Sequence, residues 1–203
     1  MTDKKILDYF TIEGTPGGNQ DWLPEWDLNR GGCGAVTACD VCIYLARLER
    51  FRNLYPFGIN HLSRVDFINF ARIMKPYLSP RYHGIDYLET YICGFNDYLQ
   101  DAKNSSLILE GLSGNVGYDV FAEAVIDQLN RNIPVPYLML NHHDITLDDF
   151  EWHWFNLAGY ERIDGNINVM TVTYGEYQWF SLRTMHDTGY ERKGGIIRIF
   201  ERI

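Results

Sequence analysis

A thiol stands among glycines in Gly31-Gly32-Cys33-Gly34-Ala35, where a long apolar segment begins. Ala35, Ala38, Cys39, Cys42, Leu45 and Ala46 recur at helical spacing, which predicts a helix from about Gly34 to Phe51 with Cys33 at its N-terminus. The unpaired amides and dipole at such an end favour an anion, so a thiol there tends to a lowered pKa and a larger thiolate fraction. A buried, inert cysteine is the competing reading, and a base within reach separates the two. Of six histidines, His153 has the most constrained setting, in the aromatic strand Trp152-His153-Trp154-Phe155-Asn156-Leu157-Ala158-Gly159-Tyr160. An imidazole on a sheet can face a thiol on a helix end, take its proton and later protonate a leaving group. Gln20 and Asn29, just upstream of Cys33, carry amide donors suited to an oxyanion.

Other groupings carry less chemistry. His142, His143 and Asp144 cluster between two strands, but with His153 their spacing fits no zinc pattern, so no metal and no cofactor is expected. Asp144, Asp148, Asp149 and Glu151 form a solvated charge run rather than a paired acid and base. On a helix Cys39 and Cys42 point roughly 240° and 180° away from Cys33, and both belong to the core. Cys93 is expected at a structural position in a later helix.

The elements that must position these residues fall into two halves. At 203 residues the chain is expected to form one domain, with residues 1–30 an irregular lead-in covering the cleft. Thr15-Pro16-Gly17-Gly18-Asn19 is a loop, and Trp22-Leu23-Pro24-Glu25-Trp26 an aromatic segment placed to lie over the site. Residues 31–104 are mainly helical. Beyond the first helix, Ser63 and Asp66 mark a helix start, and a third helix spans about Asp86 to Ala102. Residues 105–203 are mainly antiparallel sheet. A strand at Leu107 to Leu112 and a helix from Asp119 to Arg131 precede a strand at Asn132 to Leu140, whose prolines confine it to an edge or to its own beginning. The histidine strand, an Asp164-Gly165 turn and a return from Ile167 to Tyr174 form a hairpin, with further strands at Tyr177 to Leu182 and Ile196 to Phe200.

A formal net charge of −9, with no local excess of Lys and Arg, disfavours nucleic acid and anionic membranes as partners. No apolar run approaches the roughly 20 residues of a membrane span, and the start Met1-Thr2-Asp3-Lys4-Lys5 leads into no signal-peptide core, so a cytoplasmic protein is expected.

Gly32-Cys33-Gly34-Ala35 opening a helix, together with His153-Trp154-Phe155-Asn156-Leu157-Ala158-Gly159-Tyr160, resembles the papain-like cysteine peptidases, most closely those that process bacteriocin leaders. The likeness covers roughly residues 29–182 and implies an α+β papain-like fold with Cys33 as nucleophile and His153 as general base. It departs at the third member. Where that family has Asn or Asp, this chain reads Val172-Thr173-Tyr174-Gly175-Glu176, which places Thr173 nearest, or Val172 if Gly175 is the anchor. Counting the hairpin outward from Asp164-Gly165 without a bulge instead sets His153 opposite Glu176, a carboxylate able to hold the imidazole. The family's oxyanion Gln lies a few residues before its cysteine, which favours Asn29, four residues away, over Gln20, thirteen away.

The expected activity is thiol-dependent hydrolysis of a peptide or amide. The alternative is a papain-like module that has lost efficient catalysis and binds a peptide or protein partner. The many aromatics and the acidic run suit an apolar or basic peptide. Oligomeric state is not legible.

Overall fold

The computed structural model describes residues 3–81 and 84–202; Met1 and Thr2 of the polar start lie outside the described residues. The opening segment is more ordered than an irregular lead-in. Strand β1 (Lys4–Ile6) joins the main sheet, and β2 (Thr11–Ile12) pairs with β3 (Thr15–Pro16). A 3-10 turn at Gln20–Trp22 follows, capped by the Asn19 side chain, and then the short helix α1 (Trp26–Gly31). Sequence periodicity misses these strands because they are two or three residues long and owe their existence to distant partners.

Helix α2 (Cys33–Ala46) is the centre of the molecule, with thirteen of its fourteen residues buried. A helix apolar on every side has to be enclosed. It starts directly after α1 because Gly32, whose N–H donates to Leu28 O at 2.9 Å, has no Cβ to strike that same carbonyl. It ends at Ala46 rather than near Phe51. Arg47 is tied to the Asp8 carbonyl and carboxylate, Leu48 turns extended, and a kinked 3-10 stretch occupies Glu49–Leu54.

Helices α3 (Arg64–Met74) and α4 (Leu88–Asp101) follow, the first capped by Ser63, whose hydroxyl accepts from Asp66 N at 3.1 Å. The later elements are β4 (Leu107–Ser113), α5 (Tyr118–Asn130), β5 (Val135–Met139), β6 (His153–Ile163), β7 (Asn166–Thr173), β8 (Glu176–Ser181), α6 (Leu182–His186) and β9 (Gly195–Glu201). The result is an α+β fold whose antiparallel sheet has the order β4-β9-β5-β6-β7-β8. β1 lies against residues 159–161 of β6, past the stretch that β5 occupies. β5 is interior and wholly buried, not an edge; its Pro136 sits at the second position, before the β9 pairing begins at Tyr137. Apolar side chains of the helices and the sheet join in one core.

The β6–β7 hairpin turns at Asp164 and Gly165, both at positive φ (49° and 82°), as the Asp-Gly pair predicts. A bulge between Leu157 and Gly159 then shifts the register, so Asn156 pairs with Val172 and His153 does not stand opposite Glu176. Among the described residues, no helix is long and apolar enough to cross a membrane.

Candidate active site

Cys33 is the first residue of α2 and His153 the first of β6, and the two line one cavity of about 750 Å³. The α2 start supplies the thiol with backbone amides, as a helix N-terminus must. Those of Cys33 and Gly34, with that of Trp154 from the adjoining strand, lower the Cys33 pKa, but burial outweighs them and the net direction is upward. The lowered thiol pKa expected from the helix end is therefore overturned. The amides are present, yet the sulfur is too thoroughly desolvated, at 6% exposure, for them to prevail.

His153 is as enclosed, and burial pushes its pKa down to about 4. Its Nε2 lies 2.7 Å from Thr173 Oγ1 at the end of β7. Nδ1 has no hydrogen-bond partner among the described residues. The ring lies parallel to Tyr174 at a centroid distance of 4.8 Å and is inclined by 27° to Phe155 at 6.1 Å. Tyr174, stacked on the imidazole, and Trp152, the residue before it, both have positive φ, at 51° and 53°. Non-glycine residues held in that region cost of order 1–3 kcal/mol and cluster where structure serves a site. No hydrogen bond joins the Cys33 sulfur to the His153 ring.

Of the two expected third members, Thr173 meets the imidazole and Glu176 does not. Glu176 pairs with Thr173 across the β7–β8 turn, is exposed, and accepts from the Gln178 side chain. Val172 is buried in the sheet. Of the two amide donors, Gln20 lines the cavity and Asn29 does not. Asn29 instead buttresses Gln20: its carbonyl accepts from Gln20 Nε2 at 2.7 Å, and its own Nδ2 donates to Gln20 O and Leu23 O. Distance along the chain favoured Asn29; the 3-10 turn puts Gln20 on the cavity wall instead.

The aromatic lead-in does not plug the cavity. Trp22 packs edge-on to Phe67 under Arg64, while Trp26 stands at the cavity wall, 74% exposed. His142 uses both ring nitrogens locally, one beside Thr184 O and one accepting Asp144 N–H. Cys39 and Cys42 are core residues, whereas Cys93 is exposed rather than packed, on the outer side of α4.

Behind the site lies a buried polar group that sequence reasoning passed over. Asp40, on α2, accepts Gly18 N–H at 2.9 Å and the Tyr9 hydroxyl at 3.2 Å; Asn156 Nδ2 donates to that hydroxyl and to Thr37 O. Burial raises the Asp40 pKa to about 7. The signal was a carboxylate inside an otherwise apolar helix, which must find partners. Its partners fasten residues 9–18 to α2, and the next residue, Asn19, donates to Tyr174 O at 3.0 Å. The lead-in is thus a brace between the core and the turn that covers His153.

No protein-family model matches the chain, and no curated protein and no solved structure matches it either.

Proposed function

We propose that the protein is a cysteine-dependent peptidase or amidase with a papain-like arrangement. The observation that carries this reading is the convergence of Cys33 and His153 on one open cavity, with Nε2 of the imidazole occupied by Thr173 and Nδ1 left available. The imidazole is neutral above about pH 4, so one ring nitrogen carries a free lone pair throughout the physiological range, although burial makes it a weak base. In the proposed reaction Nδ1 takes the Cys33 proton as sulfur attacks the carbonyl carbon. The oxyanion faces the amides at the start of α2 and the remaining N–H of Gln20 Nε2. The imidazolium then protonates the departing amine, and water, deprotonated by His153, clears the thioester. Because burial disfavours both charged forms, the resting pair is thiol and imidazole, and proton transfer accompanies attack rather than preceding it.

That same neutrality, with no sulfur-to-imidazole hydrogen bond, favours a second reading in which the cavity binds a peptide without cleaving it. Incubation with a pool of N-acetylated peptide aminocoumarin amides separates the two. Release of fluorophore that disappears in both Cys33→Ser and His153→Ala supports the hydrolase. Wild-type protein that binds these peptides with no release supports the binding module.

A further inference from the structure

The charges around the cavity are unevenly committed. Among the described residues two carboxylates line it: Asp27 pairs with Lys75 at 2.6 Å, whereas Glu151 accepts the His142 backbone N–H and keeps its charge. Two guanidiniums line it as well, Arg30 and Arg81, and neither has a carboxylate partner among the described residues. Arg30 lies three residues before Cys33, exposed, its charge resting over the Trp26 ring at 5.6 Å. Arg81, also exposed, is on the segment after α3. Asp144 of the acidic run is turned to its own Thr146, and of that run only Glu151 reaches the cavity. On a chain of formal charge −9, the two unpaired guanidiniums thus outnumber the one carboxylate without a cation, Glu151, and the balance at this cavity is positive.

We infer that the substrate carries a carboxylate, bound by Arg30 and Arg81 while its scissile amide lies at Cys33. This deepens the hydrolase reading and rests on it, and it replaces the basic peptide that the acidic run suggested. A guanidinium offers paired N–H donors that match a carboxylate, and an unpaired one in a partly enclosed cleft concentrates anions. The indole of Trp26 beside Arg30 leaves room for an apolar neighbour of that carboxylate.

The test compares alkylation of Cys33 by iodoacetate, an anion, and iodoacetamide, its neutral analogue, resolved by mass spectrometry. The expected ratio of the two rates is at least about fivefold higher in the native protein than for the same cysteine unfolded in urea. Arg30→Met with Arg81→Met returns the ratio to the unfolded value, and the Arg→Lys pair retains most of it. The source of the carboxylate follows from protection of Cys33 by amidated peptides carrying Glu or Gln, and by the Gln peptide with a free C-terminus. Stronger protection by the Glu peptide assigns a side chain; stronger protection by the free C-terminus assigns the α-carboxylate. A native ratio no higher than the unfolded one, or equal protection by all three peptides, overturns the inference. In that case iodoacetamide reactivity dependent on His153 still leaves the hydrolase reading standing. Cys33 inert to both reagents removes the hydrolase reading and this inference together.

Discussion

His153 is positioned by one hydrogen bond and two rings, and the hydrogen bond is chemically unusual for the role proposed for it. A carboxylate or amide oxygen accepts only, and so fixes which imidazole nitrogen carries the proton, whereas a hydroxyl both donates and accepts. Thr173 therefore holds the ring in place without dictating the tautomer, and leaves Nδ1 free to be the base or the acid. Thr173→Val keeps the shape and removes the bond. Loss of about 1 kcal/mol of positioning predicts a fall in kcat/KM of roughly fivefold, with the acid limb of the pH profile displaced because the imidazolium loses its acceptor. An unchanged profile assigns Thr173 a packing role alone. Sequence alignment put Thr173 nearest the family's third member, and the count that favoured Glu176 failed at one bulge, which no local pattern announces. The Cys33 pKa was misjudged for a related reason: a helix end is visible in sequence, but the depth at which it is buried is not.

The β7–β8 turn is the element on which this arrangement depends most visibly. Tyr174 and Gly175, both at positive φ, complete a two-residue turn that lays the Tyr174 ring on His153 and packs Gly175 beside Thr15 of β3. A Cβ at residue 175 meets Thr15 Cγ2 and forces an L-residue to φ 77°. Gly175→Ala is expected to cost about 1–2 kcal/mol in denaturant unfolding and to lower activity as the ring loosens. Combining it with Thr15→Ser relieves the contact but not the backbone strain, so only part of the stability returns. The Asp164-Gly165 turn and the helices α3 to α5 were readable because period, caps and turn residues agree locally. The lead-in was not, since β1 exists only by pairing with β6, some 155 residues away in sequence.

For the molecule as a whole, two buried groups pull stability in opposite directions with pH. Asp40 has a folded pKa raised to about 7, so the folded state holds its proton when the unfolded chain has lost it. Its contribution is fully present below pH 3.8 and is lost as pH rises through 7. His153, lowered to about 4, contributes stability that is present above pH 6.5 and lost as pH falls through 4. Over the shared window the two slopes largely offset. Asp40→Asn keeps an acceptor for Gly18 N–H without a charge, and is expected to be more stable than wild type by on the order of 2–4 kcal/mol at pH 8. That advantage shrinks toward pH 4, and urea unfolding from pH 4 to 8 reads it directly. Parallel curves contradict the assignment of that slope to Asp40.

The central claim is that Cys33 and His153 act as one unit, and the pH dependence of iodoacetamide alkylation, resolved by cysteine, tests it most directly. Exposed Cys93 serves as the internal reference in wild type and in His153→Ala. At pH 6, well below the ordinary thiol pKa of about 8.5, the account predicts that Cys33 outpaces Cys93 because the imidazole accepts its proton as the S–C bond forms. In His153→Ala the thiol, pushed up by burial, is predicted to fall behind Cys93. Cys33 no faster than Cys93 in wild type, or equally fast without the imidazole, contradicts the dyad and leaves the cavity as a binding site.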